Sequence, residues 1–85
     1  MDDTTVNDEM AEFLVGAMRE ICPELPATWP SNARFQADLR LDSLDLVELV
    51  ARIEQRYVLF VPDADLEQFI SLDATMRYIV EHHDA

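Results

Sequence analysis

Apolar residues recur every three or four positions along much of this 85-residue chain, which is the period of an α-helix. The first such segment predicts a helix over residues 5–22, because Pro23 cannot continue its hydrogen-bond ladder. Gly16 weakens the interior of this helix, and we expect a close helix contact there. The predicted apolar face consists of Met10, Phe13, Leu14, Ala17, Met18 and Ile21.

A second helix is predicted over residues 43–57, after a long connection at 23–42. Asp42 or Ser43 is expected to cap it, because a short side-chain oxygen can accept from the free N–H groups of a first turn. The predicted buried stripe consists of Leu44, Val47, Val50, Ile53 and Tyr57, broadened by Leu46 and Leu49. The side chains expected to anchor the connection are Leu25, Trp29, Phe35 and Leu39.

Two shorter helices are predicted after a linker that ends in Pro62. Asp63 is expected to cap a helix over residues 63–69, and Ser71 or Asp73 to start a last helix that runs to about residue 82. The inward positions predicted for the last helix are Met76, Ile79 and Val80. Strand-like alternation is absent over any long window, so the fold class is all-α, a single domain of four helices with a short third one.

The charge balance limits the classes of partner. The chain has 18 acidic residues and 6 basic ones, all of them Arg, for a formal net charge of −12, so phosphate backbones would repel it and nucleic acid is not expected to bind. Two explanations of this acidity are open: docking to basic patches on other proteins, or solubility alone. The sequence offers neither a membrane span nor the features of a signal peptide, which predicts a cytoplasmic location.

Catalytic and metal-binding patterns are weak. No histidine precedes position 82 and no Gly-x-Ser-x-Gly surrounds Ser43, so an enzyme with its own active site is not expected. His82 and His83 are adjacent, which on a helix directs them about 100° apart and disfavours a shared metal. We predict no metal site. Cys22 is expected to pack in or beside the core.

A wider pattern surrounds Ser43. Its residues are Phe35, Asp38-Leu39, Leu41-Asp42-Ser43-Leu44-Asp45, Val47-Glu48-Leu49-Val50, Ile53-Glu54 and Val61-Pro62-Asp63. From about residue 35 to 80 the chain closely resembles the acyl carrier protein family, which implies an acyl-carrier-type bundle. In that family the serine of an Asp-Ser-Leu motif carries a 4'-phosphopantetheine arm, whose thiol holds acyl groups as thioesters. The resemblance assigns that role to Ser43, between Asp42 and Leu44.

The resemblance also implies partners and surfaces for a monomeric carrier. The partners would be a phosphopantetheinyl transferase, which uses coenzyme A and Mg²⁺, and acyltransferases, ketosynthases or other acyl-processing enzymes with basic docking patches. The implied docking residues are Asp42, Asp45, Glu48 and Glu54, with Arg52 making the surface mixed in charge. The implied acyl-pocket residues are Val47, Val50, Ile53, Phe69, Ile70, Met76 and Ile79.

Departures from the family pattern bear on the pathway. Arg40 stands where the family commonly has Gly, and Arg52, Gln55 and Arg56 stand where fatty-acid carriers often have apolar or acidic residues. We therefore expect a free-standing carrier for a specialised pathway such as polyketide assembly. A housekeeping fatty-acid carrier and a peptidyl carrier are alternatives, although peptidyl carriers more often have His before the serine. A further alternative is a noncatalytic acidic adaptor, in which Ser43 only caps the helix.

Overall fold

The computed structural model describes the backbone of residues 3–82 and the side chains of residues 8–82. Within that range the helices are α1 (Asp3–Ile21), α2 (Ser43–Tyr57), a 3₁₀ helix (Asp63–Gln68) and α3 (Leu72–His82). The predicted fold class is confirmed: the described part of the chain is an all-α bundle of four helices, without strands. The long connection lies between α1 and α2, and the third helix is short.

The core forms where α1 packs against α2 and α3. Completely or almost completely buried side chains come from all three helices and from the connection, namely Leu14, Met18, Phe35, Leu49, Ile53 and Ile79. Burial of a side chain of this size contributes roughly 1.5–3 kcal/mol before conformational entropy is subtracted. The core therefore holds the helices in place around a few large side chains.

The buried face of α2 differs from the predicted stripe. Leu44 is 78% exposed and Val47 is 54% exposed, so their expected burial was wrong. The apolar residues of α2 that are buried or half-buried are Leu46, Leu49, Val50, Ile53 and Tyr57, all of which lie on one face of the helix. At 100° per residue, Leu44 lies roughly opposite the centre of that face. The first turn of α2 thus presents apolar side chains to solvent.

Two further expectations were wrong. Val80 is 59% exposed, because the inward face of α3 runs through Leu72, Tyr78 and Ile79, and Val80 lies about 100° from its neighbour Ile79. Gly16 makes no close helix contact, since a Cβ built there would meet nothing within 4 Å. It lies on the exposed side of α1.

The connection between α1 and α2 packs down as predicted. Leu25, Phe35 and Leu39 are buried, and Trp29 is half-buried with the guanidinium of Arg19 5.1 Å from its ring centre. The backbone N–H of Phe35 donates to the carbonyl of Ile70 at 2.7 Å. The connection is therefore joined to the segment that leads into α3.

Arg40 has a positive φ of 64°, which explains why the family commonly places Gly at this position. The left-handed region costs a residue with a Cβ about 1–2 kcal/mol. Val58 ends α2 in the same region, with φ 51° and ψ 55°, and its N–H donates to the carbonyl of Glu54. Both positions carry backbone strain that glycine would relieve.

We predict that Thr75→Val raises the free energy of unfolding by about 1 kcal/mol, measured by urea denaturation. Thr75 is 0% exposed, and its hydroxyl has no hydrogen-bond partner among the residues that the structure describes. Valine keeps the shape and removes the unsatisfied group. Thr75→Ser, the control, keeps the hydroxyl and loses a methyl group, so it should destabilise. A loss of stability in the valine variant would show that the hydroxyl has a partner.

Candidate functional site

A capping box fixes the start of α2. Asp42, with φ −94° and ψ 179°, accepts through Oδ1 from the backbone N–H of Asp45 at 2.8 Å. The backbone N–H of Asp42 donates to Oδ2 of Asp45 at 3.2 Å. Each carboxylate satisfies a donor at the positive end of the helix. Of the two capping candidates in the sequence, Asp42 is therefore the N-cap.

Ser43 is the first helical residue, and its side chain is exposed. Within the described chain, no hydrogen bond engages its hydroxyl. The other two serines of the sequence differ from it in their surroundings. Ser71 is only 8% exposed, and its Oγ accepts from the N–H of Ala74 at 3.2 Å, whereas Ser31 lies in the connection, where its carbonyl accepts from the N–H of Asp73. Ser43 thus combines an accessible hydroxyl with a helix N-terminus, where N–H groups favour a bound phosphate.

Two clefts flank the 3₁₀ helix, and Leu66 lines both. The first, which we call the loop cleft, has a volume of about 190 Å³ and is lined by Arg34, Gln36, Ala37, Leu46, Leu66, Glu67, Phe69 and Ile70. The second, which we call the helix cleft, has a volume of about 280 Å³ and is lined by Val47, Val50, Ala51, Glu54, Phe60, Val61, Asp63 and Leu66. Leu46 and Val47 lie one helical turn after Ser43, so both clefts begin close to it.

The predicted acyl-pocket residues divide between these clefts and the core. Val47 and Val50 line the helix cleft, while Phe69 and Ile70 line the loop cleft. Three others line neither cleft: Ile53 and Ile79 are 0% exposed, and Met76 is half-buried against the core. An acyl chain could reach Ile53 and Ile79 only if the core loosened.

The predicted docking residues have distinct surroundings. Asp42 and Asp45 form the capping box, and Glu48 accepts from Nε of Arg52 at 3.4 Å. Arg52 also forms a salt bridge with Glu20 of α1. The hydrogen bond that Arg52 donates to Glu20, and then the one that it donates to Glu48, raise the pKa of Arg52 above its usual value. The surface is thus mixed in charge because a cation is fixed between two carboxylates.

Glu54 has a structural contact that the sequence did not indicate. Its Oε2 accepts from the backbone N–H of Val61 at 2.8 Å, which holds the linker after α2 against that helix. The two residues are seven positions apart, and no local motif joins them. One oxygen of the Glu54 carboxylate, which lines the helix cleft, is therefore already engaged in a hydrogen bond within the protein.

The 3₁₀ helix is tethered to α3 by another contact that the sequence did not indicate. The Tyr78 hydroxyl donates to Oδ2 of Asp65 at 2.7 Å, and the ring centres of Tyr78 and Phe69 lie 4.8 Å apart. Burial first, and then the Asp65 carboxylate, raise the pKa of Tyr78 to about 12. No residue of the 3₁₀ helix itself is buried. Its position between the clefts therefore depends on a few contacts, such as the hydrogen bond between Tyr78 and Asp65.

Other candidate chemistry is sparse in the described chain. The side chains of residues 8–82 include no group of three or more His, Cys, Asp or Glu arranged to hold a metal. His82 stacks on Tyr78 with ring centres 3.9 Å apart, and His83 lies outside the described residues. None of the helices described is both long and apolar enough to span a bilayer.

Comparison with known proteins gives a consistent result. Residues 12–79 match a family model described as the phosphopantetheine attachment site. The mitochondrial acyl carrier protein of Neurospora crassa is 42% identical over 60 residues, which cover 71% of this chain and 45% of that protein. An acyl carrier protein of Rubrobacter xylanophilus is 40% identical over 54 residues, which cover 64% of this chain and 67% of that protein. The chain thus matches less than half the length of the Neurospora relative.

A plant relative matches over a longer stretch. Acyl carrier protein 2, mitochondrial, of Arabidopsis thaliana is 37% identical over 77 residues, which cover 91% of this chain and 61% of that protein. The similarity to this protein therefore extends well beyond the segment around Ser43. It includes most of the four-helix region described above.

The capping box predicts how substitutions at Asp42 behave. Asp42→Ala should lower the free energy of unfolding by about 1 kcal/mol, because the N–H of Asp45 loses its acceptor. Asp42→Asn, which caps nearly as well without the charge, should lose much less stability. Urea denaturation of both variants measures this difference. Equal losses would contradict the capping role and assign the effect to charge.

Proposed function

The chain belongs to the acyl carrier protein family, whose members carry a covalently attached 4'-phosphopantetheine, and we propose that Ser43 is the attachment site. The observation that carries this proposal is the exposed Ser43 hydroxyl, which the fold does not use because Asp42 caps α2. Ser71, by contrast, is buried and engaged in its own helix start. The family is one of carriers rather than catalysts, and we propose that this chain performs no catalysis of its own.

The attachment would proceed on a partner transferase. Ser43 Oγ forms a new bond to the pantetheine-bearing phosphorus of coenzyme A while the bond from that phosphorus to the leaving adenosine bisphosphate breaks. The hydroxyl proton passes to a base on the transferase, and a phosphodiester remains. The free N–H groups at the start of α2 offset the charge of that phosphodiester beside Asp42. Once attached, the arm supplies a thiol that holds acyl groups as thioesters.

The surface around Ser43 supports docking to basic partners. Asp42, Asp45 and Glu48 lie along the first two turns of α2, in a chain with a net charge of −12. Such charges accelerate the encounter with positively charged surfaces. The exposed side chains of Leu44 and Val47 add an apolar centre, as protein interfaces commonly have. The proposed partners are a phosphopantetheinyl transferase and acyl-processing enzymes such as acyltransferases or ketosynthases.

Two of the predicted docking residues have a modified role in this proposal. Glu54 contributes less to docking than the others, because its carboxylate accepts from the Val61 backbone. Arg52 sets which partners fit, because it pairs with Glu48 and so reduces the acidity of the surface. Docking therefore depends most on the first half of α2.

Modification of purified apo protein tests the attachment site. With coenzyme A, Mg²⁺ and a broad-specificity transferase, the wild type should gain the mass of one phosphopantetheine and Ser43→Ala should gain none. Ser31→Ala is the matched control and should be modified like the wild type. Circular dichroism should show unchanged helicity in both variants. Modification of Ser43→Ala would place the arm on another residue and contradict the proposal. If no form is modified while a known carrier in the same reaction is modified, the proposal is also contradicted and the acidic adaptor is favoured.

We further propose that the carrier serves a specialised pathway such as polyketide assembly. Arg52 is fixed by Glu48 and Glu20, and Arg56 lies with its guanidinium 5.6 Å from the Phe13 ring centre. These two cations make the second half of α2 less acidic than its first half. General fatty-acid enzymes that recognise acidic carriers would therefore bind this surface less well. The names of the relatives do not state a pathway.

Kinetics with a general fatty-acid condensing enzyme test the pathway proposal. The loaded wild type should show a lower kcat/KM than a housekeeping carrier, and Arg52→Gln should raise it by about threefold or more, since rim charges govern association rates. Arg77→Gln, which changes an exposed arginine on α3, is the control and should have no effect. Wild-type efficiency equal to that of the housekeeping carrier would contradict the proposal.

The cytoplasmic location and the monomeric state stay predictions. The Neurospora and Arabidopsis relatives are both named as mitochondrial, so the family includes carriers from an organelle. Fractionation of the native host and sedimentation of the purified protein would test the two predictions separately.

A further inference from the structure

The loop cleft has features of a binding site for one class of cargo. We propose that it holds acyl groups that end in a carboxylate, with the guanidinium of Arg34 as the counter-ion. This inference rests on the proposed attachment of the arm to Ser43. It adds to that function a residue that would distinguish acidic from uncharged acyl groups, because an uncharged acyl group would gain nothing from the cation.

The cleft has a fixed wall that carries the arginine. The backbone of Arg34 forms a bridge with Ser71, and the next N–H, that of Phe35, donates to the Ile70 carbonyl at 2.7 Å. The Arg34 N–H donates to the Asp38 carboxylate at 2.8 Å, and the Arg34 carbonyl accepts from the N–H groups of Asp38 and Leu39. The backbone from which the Arg34 side chain extends is therefore fixed in the wall of the cleft.

The charge of Arg34 is available to a ligand. No carboxylate oxygen of residues 8–82 lies within 4.0 Å of its guanidinium nitrogens, although the chain has three times as many acidic as basic residues. Arg52, by contrast, is paired with two glutamates, and Arg19 donates to the carbonyl of Ala27. Glu67 also lines the cleft without pairing with Arg34. Arginine is well suited to this role because its planar group can bind a carboxylate with two hydrogen bonds.

The two clefts differ in the cargo that they suit. The helix cleft is lined by the carboxylates of Glu54 and Asp63 and by no cation, so it would repel an acidic group. The loop cleft is lined by one cation, Arg34, by Glu67 and Gln36, and by apolar residues such as Leu46 and Ile70. Leu46 follows Ser43 by three residues, about 4.5 Å along the helix axis. A flexible arm attached to Ser43 can therefore fold back and present its end to Arg34.

A pair of matched acyl groups tests the proposal. Apo protein can be loaded directly by a broad-specificity transferase from malonyl-CoA or from acetoacetyl-CoA, in which a methyl ketone replaces the carboxylate. We expect the Arg34 Nε–H resonance to shift in the malonyl form by more than it does between the apo and holo forms, and not to shift further in the acetoacetyl form. The malonyl shift should shrink as NaCl rises from about 0.05 to 0.5 M, as an exposed ion pair requires.

Two variants complete the experiment. In Arg34→Gln the backbone amide shifts of Gln36 and Ile70 should be the same for both acyl groups, while Arg77→Gln should preserve the malonyl effect. If the Arg34 resonance shifts as far in the holo form as in the malonyl form, the cation binds the phosphate of the arm and the proposal is overturned. The absence of a shift in every form would also overturn it. Intact mass reports loading separately, so failure of the arm to attach is distinguished from failure of the cleft to bind.

Discussion

The reciprocal hydrogen bonds between Asp42 and Asp45 determine the arrangement on which the other functional features depend. They start α2 at one residue, satisfy its first donors and leave Ser43 as the first helical position with an exposed hydroxyl. If Ser43 itself capped the helix, its oxygen would be bound to the backbone and less accessible to a partner enzyme. The cap thus separates two roles that one serine could not serve at once.

The charged residues differ between the two halves of α2. The acidic residues of the first half of α2 give way to a second half in which Arg52 pairs with Glu20 and Glu48. Arg34 lines the loop cleft and has no carboxylate partner among the described residues. In the proposed function, Arg52 adjusts the docking surface and Arg34 offers a charge to the cargo.

Local patterns in the sequence predicted much of this structure. The capping residues, the period of the helices and the proline positions act within a few residues, so they could be read directly. The errors concern helix faces. Leu44, Val47 and Val80 are apolar residues near the inward period, and only packing decides which of them is buried. Gly16 was expected to make a contact, but the helix turns it toward solvent.

Contacts between distant residues could not be predicted. The hydrogen bond from the Val61 backbone to Glu54 and the one from the Tyr78 hydroxyl to Asp65 position the 3₁₀ helix, yet each uses a carboxylate that has many other possible donors. The lack of a carboxylate partner for Arg34 among residues 8–82 is likewise a consequence of tertiary structure. The clefts and their difference in charge therefore became visible only in the folded chain.

Peptide mapping of the modified protein can locate the arm on a single residue. Trypsin cleaves after Arg40 and Arg52, which isolates Ser43 in a peptide of residues 41–52 that contains neither Ser31 nor Ser71. We expect fragmentation to place the whole added phosphopantetheine on Ser43 of that peptide. Its presence on any other peptide, or its absence from a protein exposed to a competent transferase, would show that Ser43 is not the attachment site.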